Sequence, residues 1–133
     1  MLNSAVYTEQ RLKQFHLSDG MCSLCGGEEE NCLHLVADCD AVKEFWKSLI
    51  SLIRKSVPSF KYNEEFVLLG CTQSNSGNLS EAEVEMVNFL ILNAKWVIWK
   101  RRCVTKYDGK MITQEMMWNW FTSDVMHLRV YLF

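Results

Sequence analysis

Between Cys22 and Cys39 the chain reads C-x2-C-x8-H-x4-C, with Cys22, Cys25, His34 and Cys39 at the named positions. Much of this stretch is glycine, glutamate and other polar residues, so it cannot build a core of its own. A C-x2-C turn brings two thiolates to one ion, and Gly26 and Gly27 relax the backbone just behind it. His34 and Cys39, on a short following helix, close a tetrahedron. The set is Cys3His, the donor set of a closed structural zinc site, and with a neutral imidazole it carries a formal charge of −1. Two other readings of the same residues stay open: reduced thiols in a core beside a hydrogen-bonded histidine, or a disulfide. Cys32 is a competing ligand two residues before His34, ranked below it because it points to the other side of a forming helical turn.

The start of the chain lacks a basic segment followed by an apolar one, so export is not expected. The expected location is intracellular, in cytoplasm or nucleus, where six cysteines are free thiols or metal ligands more often than a disulfide framework. Cys71, Cys103, His16 and His127 stand apart from the cluster and read as ordinary side chains. At 133 residues, 49% hydrophobic and 23% charged, the chain has ordinary globular composition and enough length for one core.

The periodicities are helical. Thr8 to Phe15 suits a short helix, and from Asp40 onward Val42, Phe45, Trp46, Leu49, Ile50, Ile53 and Val57 recur at three and four residues until Pro58. Phe66 to Leu69 is a short helix or an extended piece, and Thr72 to Asn78 is a polar loop. Ser80 with Glu83 forms a capping box, starting a helix that runs to about Lys106 and is apolar on most sides. Asp108-Gly109 turns into a last helix, Thr113 to about Leu132, with Trp118, Phe121, Val125, Leu128 and Leu132 on one stripe. The expected fold is all-α: one domain over 1–133, a small helical bundle with an N-terminal Cys3His zinc knuckle. Residues 8–57 hold the knuckle and an amphipathic helix, and 80–133 a C-terminal helical hairpin. The most apolar segment, Met86 to Trp99, is too short and too interrupted to span a bilayer.

The segment TEQRLKQFHLSDGMCSLCGGEEENCLHLVADCDAVKEFW resembles the zinc-binding domain of reverse transcriptases from LINE-type, non-long-terminal-repeat retrotransposon polyproteins. The matching features are Arg11-Leu12, Cys22 to Gly26, glutamates before His34-Leu35, Cys39 and Trp46; Val36 and Asp40 depart from the family's usual residues at positions that are not ligands. A looser resemblance, to the C-terminal extension of animal LINE-type polymerases, covers Phe89 to Arg102. The resemblance implies Zn2+, the remainder of a reverse transcriptase polyprotein as partner, and RNA or an RNA–DNA hybrid as ligand. No enzyme activity is expected, since polymerase chemistry needs closely placed carboxylates for two metal ions and the chain has no adjacent Asp-Asp pair. Neither a membrane nor a small-molecule substrate is an expected partner.

The charge pattern supplies a candidate surface. Lys95, Lys100, Arg101, Arg102, Lys106 and Lys110 face only Asp108, a local charge of +5 in a chain of net −2. Arg11 and Lys13 can extend it near the knuckle. The run is equally a solvated cationic helix end, and the spacing of Trp96 and Trp99 reads as core rather than as a stacking platform. A second class of function is a structural or protein-interaction module, suited by five tryptophans, seven methionines and exposure of Met116 and Trp120. A third is a truncated element copy without independent role.

Overall fold

The computed structural model describes residues 7–72, 75 and 77–132. Thr8 caps α1 (Glu9–Gln14), accepting from the Arg11 N–H at 3.4 Å. An irregular knuckle follows and ends in a π-helical turn, His34–Asp38. Cys39 is the N-cap of α2 (Asp40–Ser56), which buries Val42, Phe45, Trp46, Leu49 and Ile53 as its periodicity requires and stops before Pro58. Asn63 caps α3 (Glu64–Leu69), so the Phe66 segment is a helix, closed by Gly70 at φ +88°. The Ser80–Glu83 capping box is present in both directions at the start of α4 (Glu81–Asp108), and Gly109 ends that helix in the left-handed region that glycine enters without strain. The last helix, α5, spans Gln114–Leu132. Among the described residues there is no strand, only an isolated bridge between Met21 and Glu29. Nor is any helix among them long and apolar enough to cross a membrane.

The all-α architecture expected from periodicity is the one observed. Its core lies where α2, α4 and α5 meet: Phe45 packs edge-on to Phe121 (5.7 Å) and Trp118 (6.0 Å), and Val87, Ala94, Val97 and Ile98 fill the α4 side. Each fully buried side chain of this size contributes on the order of 1.5–3 kcal/mol. On the final stripe Phe121 is buried while Trp118 and Val125 are partly so; the side chains of Leu128, Leu132 and His127 lie outside the described residues, as do Gln73, Ser74 and Ser76 of the polar loop. Trp96 departs from the core reading, since it is 53% exposed. It stands on the outward side of a helix whose apolar positions exceed the width of its buried face.

The knuckle reaches this bundle through the buried Leu35 and Val36 and through a second attachment made of charge. Arg102 of α4 is 0% exposed, its Nε donating to Glu30 Oε1 at 3.0 Å and its Nη2 to Glu9 Oε1 and to the Tyr7 carbonyl, each at 2.9 Å. Glu30 is also fully buried and accepts from the Glu9 and Ser23 N–H groups, both at 2.9 Å. Lys106, Ser18 and Ser23 complete the shell of Glu9. Glu30, the last of three consecutive glutamates in a polar loop, is therefore an interior anchor. Burial pushes the Glu9 carboxyl up, but the bonds from Lys106, Ser18 and Ser23 outweigh it and hold it below the ordinary value of 4.5.

Removing one partner of such a network strands the other charge, at a cost of about 3–5 kcal/mol. Arg102→Ala is expected to lose that much in denaturant melts, whereas Lys100→Ala stays within about 0.5 kcal/mol of the parent. Because the folded-state pKa of Glu9 is depressed, its contribution is complete above about pH 4.5 and declines as pH falls below it. At pH 7, where the zinc ligands stay deprotonated, zinc-loaded Glu9→Gln protein should melt below the parent, and equal stability would show that the ionised carboxylate is not what stabilises the junction.

Candidate metal centre

Each half of the Cys3His set is placed by a distinct backbone device. In the first half, the Gly26 N–H bonds to the Cys22 carbonyl at 2.9 Å and Gly26 takes φ +66°, curling the chain back under the two sulfurs. The Leu24 N–H points at Cys22 Sγ (3.4 Å) and the Gly27 N–H at Cys25 Sγ (3.5 Å). In the second half, His34 and Cys39 are five residues apart. On an α-helix that spacing turns the side chains about 140° from one another. The π-helical turn, in which the Cys39 N–H donates to the His34 carbonyl at 2.7 Å, widens the backbone so that both side chains face the same point. Leu35 and Val36, in the same turn, are buried in the core, and the Trp46 indole N–H donates to the Val36 carbonyl at 2.5 Å.

The ligand atoms of Cys22, Cys25, His34 and Cys39 all lie within 4.8 Å of one another. A tetrahedron with Zn–S bonds of about 2.3 Å has sulfur–sulfur edges of about 3.8 Å. Cys22 Sγ and Cys39 Sγ are 3.8 Å apart, and Cys25 Sγ is 3.3 Å from His34 Nε2. The first separation is far from the roughly 2.05 Å of a disulfide, and all six cysteines are free. Of the three readings open in the sequence, the geometry selects the metal site. Three sulfurs and one imidazole nitrogen with these edges suit Zn2+ without an open position for chemistry.

The two buried thiols of the cluster share one proton. The Cys39 thiol donates toward Cys22 and, with the nearby backbone N–H groups, lowers the Cys22 pKa, while Cys39 is raised because it is the donor beside a thiolate. A dication in their midst replaces the shared proton. Glu28 Oε2 lies 3.2 Å from His34 Nδ1, within reach of the ring nitrogen that would face away from the ion, where a carboxylate accepting its N–H fixes the tautomer of a metal-bound imidazole. Cys32 stays outside the converging group, half-buried, and burial raises its thiol.

The basic run divides. Arg102 is sealed in the Glu30 and Glu9 network, and Lys95 is 8% exposed with its ammonium disfavoured by burial. Arg101 turns inward, its Nη1 donating to the Ala41 carbonyl at 2.7 Å and contacting Met117 Sδ at 3.0 Å, close enough to Cys39 to feel its charge. These three, grouped with the surface cations by sequence, are structural in the fold. Lys100 stacks on Trp120 at 4.3 Å and Lys106 pairs with Glu9, both partly exposed; Arg11 lies over Tyr7 at 4.6 Å, and Lys13 is exposed. No composition signal separates Glu30 from its neighbours Glu28 and Glu29, or Arg102 from Lys100; their roles come from the long-range docking of the knuckle on α4.

Chelation of the zinc-loaded protein is expected to lower helicity measured by circular dichroism, and Cys39→Ser to abolish stoichiometric zinc in metal analysis. Cys32→Ser should keep one zinc per chain. Full helicity after complete metal removal would show that the ion has no structural role.

Residues 1–46 match the family model described as zinc-binding in reverse transcriptase. No curated protein and no solved structure matches the chain. The match ends at Trp46, the residue whose indole ties the π-turn to α2, so it covers the four converging ligands and the start of the helix that supports them. Over residues 1–46 the chain is thus similar to the zinc-binding domain of reverse transcriptases, and the converging Cys3His donors within that segment are a zinc-binding set.

Proposed function

We propose that the chain is a non-catalytic accessory domain of a LINE-type, non-long-terminal-repeat retrotransposon reverse transcriptase, one that binds RNA or an RNA–DNA hybrid beside the polymerase inside the cell. The observation carrying this reading is the convergence of Cys22, Cys25, His34 and Cys39 within the segment that matches the family. These four hold the Zn2+, and the ion's role is to fold the knuckle: a fully occupied Cys3His tetrahedron has no ligand position for substrate. Of the basic residues singled out in the sequence, Lys13, Lys100, Lys106 and Arg11 reach the surface and are available to phosphate.

A protein-interaction role is the second reading, favoured by Leu92 and Trp96, which are 49% and 53% exposed and one turn apart on α4. Self-association without RNA affinity would support it over the first.

Under the first reading, zinc-loaded protein binds single-stranded RNA with an affinity that falls as salt rises, by about 0.7 in log K per log salt for each phosphate neutralised. Lys13→Ala with Lys100→Ala should flatten that slope by about 1.4 at unchanged helicity. Absence of RNA binding by the zinc-loaded chain in fluorescence anisotropy would remove nucleic acid from the assignment.

A further inference from the structure

The fold draws Lys95, Arg101 and Arg102 inward, and the most cationic surface segment then lies elsewhere. Along α2 and just beyond it, Lys43, Lys47, Arg54, Lys55 and Lys61 are all exposed; Asp40 pairs with Lys43 and Glu44 with Lys47 in solvent-exposed pairs. In the middle of this segment, α2 and α5 enclose an open groove of about 410 Å³ lined by Lys47, Ser48, Ser51, Leu52, Lys55 and Trp118. Its five α2 residues form one strip along the helix, and the sixth is an aromatic ring from the neighbouring helix.

We propose that this groove binds an unpaired nucleotide of a single-stranded nucleic acid, with the base against Trp118 and the flanking phosphates on Lys47 and Lys55. The inference rests on the nucleic-acid reading above, but places the contact on α2 and α5 rather than on α4. Lys47 and Lys55 are separated by about 12 Å along the helix axis, so they meet different phosphates. The Lys47 partner, Glu44, is 3.1 Å away in a solvent-exposed pair, and such pairs are held by 1 kcal/mol or less and exchange readily for phosphate. Lys55 has no ion pair among the described residues. Ser48 and Ser51 are exposed hydroxyls between the two cations, able to bond sugar or base edges.

Trp118 is suited to stacking because its other contacts are fixed. It packs on Phe121 at 5.4 Å and on Phe45 at 6.0 Å, so the ring is oriented before a base arrives and little freedom is lost. Stacking on such a ring is worth about 1–3 kcal/mol per base and tolerates any sequence. Trp96, the more exposed tryptophan, is not among the residues enclosing the groove and projects from one helix.

The test uses the full zinc-loaded chain with a fluorescein-labelled oligouridylate and an oligodeoxyuridylate of equal length, which differ only in the 2′-hydroxyl. Lys47→Glu with Lys55→Glu, both exposed and compatible with the fold, is expected to weaken binding by at least about tenfold and to flatten the salt dependence by about 1.4. A 5-bromouridine oligomer should cross-link to the peptide containing Trp118. Preference for the uridylate assigns the 2′-hydroxyl to Ser48 and Ser51; equal affinities assign the groove to bases and phosphates of either strand type. Unchanged affinity in the double variant, with binding lost instead in Lys13→Ala with Lys100→Ala, overturns the groove and leaves the accessory role standing. Cross-linking confined to Trp96 or Trp99 does the same, and failure of the parent protein to bind either oligomer overturns both.

Discussion

A segment rich in glycine and glutamate cannot hold a fixed shape by apolar burial, and this fold depends on a metal tetrahedron to do so. Between Cys22 and Cys39 the buried apolar groups are Leu35, Val36 and two of the ligand cysteines themselves. Structural zinc contributes on the order of 10–16 kcal/mol of apparent binding free energy in small peptides, more than enough to offset the ordering of so short a loop and the unusual π-turn. The turn shows how closely ligand geometry and folding are coupled: the same backbone widening that brings His34 and Cys39 together sends Leu35 and Val36 into the core and offers the Val36 carbonyl to Trp46. Metal site and helical bundle therefore share one piece of backbone.

The second attachment is a buried ion-pair network, and its energetics differ in kind. Desolvating Arg102, Glu30 and Glu9 costs about as much as their attraction returns, so the network is weak evidence for stability in itself. Its effect is on orientation. Glu30 sits between the C-x2-C turn and His34, and only one docking of the knuckle satisfies its carboxylate with the Arg102 guanidinium and two backbone N–H groups together. An apolar contact would tolerate sliding, whereas a buried carboxylate left unpaired would be penalised at every wrong position.

The sequence disclosed elements that depend on local rules. The Ser80–Glu83 box, the stop at Pro58 and the turn at Asp108-Gly109 each need only a few consecutive residues, and the Cys and His spacing carries its own chemistry. Roles set by tertiary docking were not legible. Arg102 and Lys100 are two residues apart on one helix, yet one is sealed inside and the other stacks on Trp120. Local charge counting treats them alike because what separates them is a glutamate seventy-two residues away. Trp96 was misread for the complementary reason: a helix with apolar residues on most sides need not be covered on all of them, and here its partners leave the Leu92–Trp96 side open.

Folding also redistributes charge in a way that bears on recognition. A run of cations along α4 has the appearance of an electrostatic footprint, but cations that neutralise interior carboxylates present no net field to solvent. Arg102 cancels against Glu30 and Glu9, Lys106 shares Glu9, and Arg101 spends its donors on Ala41 beside the cysteine cluster. On α2 the accounting runs the other way, because an amphipathic helix with a fully apolar inner face must place all its charges outside. Lys43, Lys47, Arg54 and Lys55 stay in water, where Asp40 and Glu44 offset two of them in exposed pairs. The outer face of the helix that begins at the last zinc ligand consequently carries exposed positive charge, and its orientation is set by the same tetrahedron that starts it.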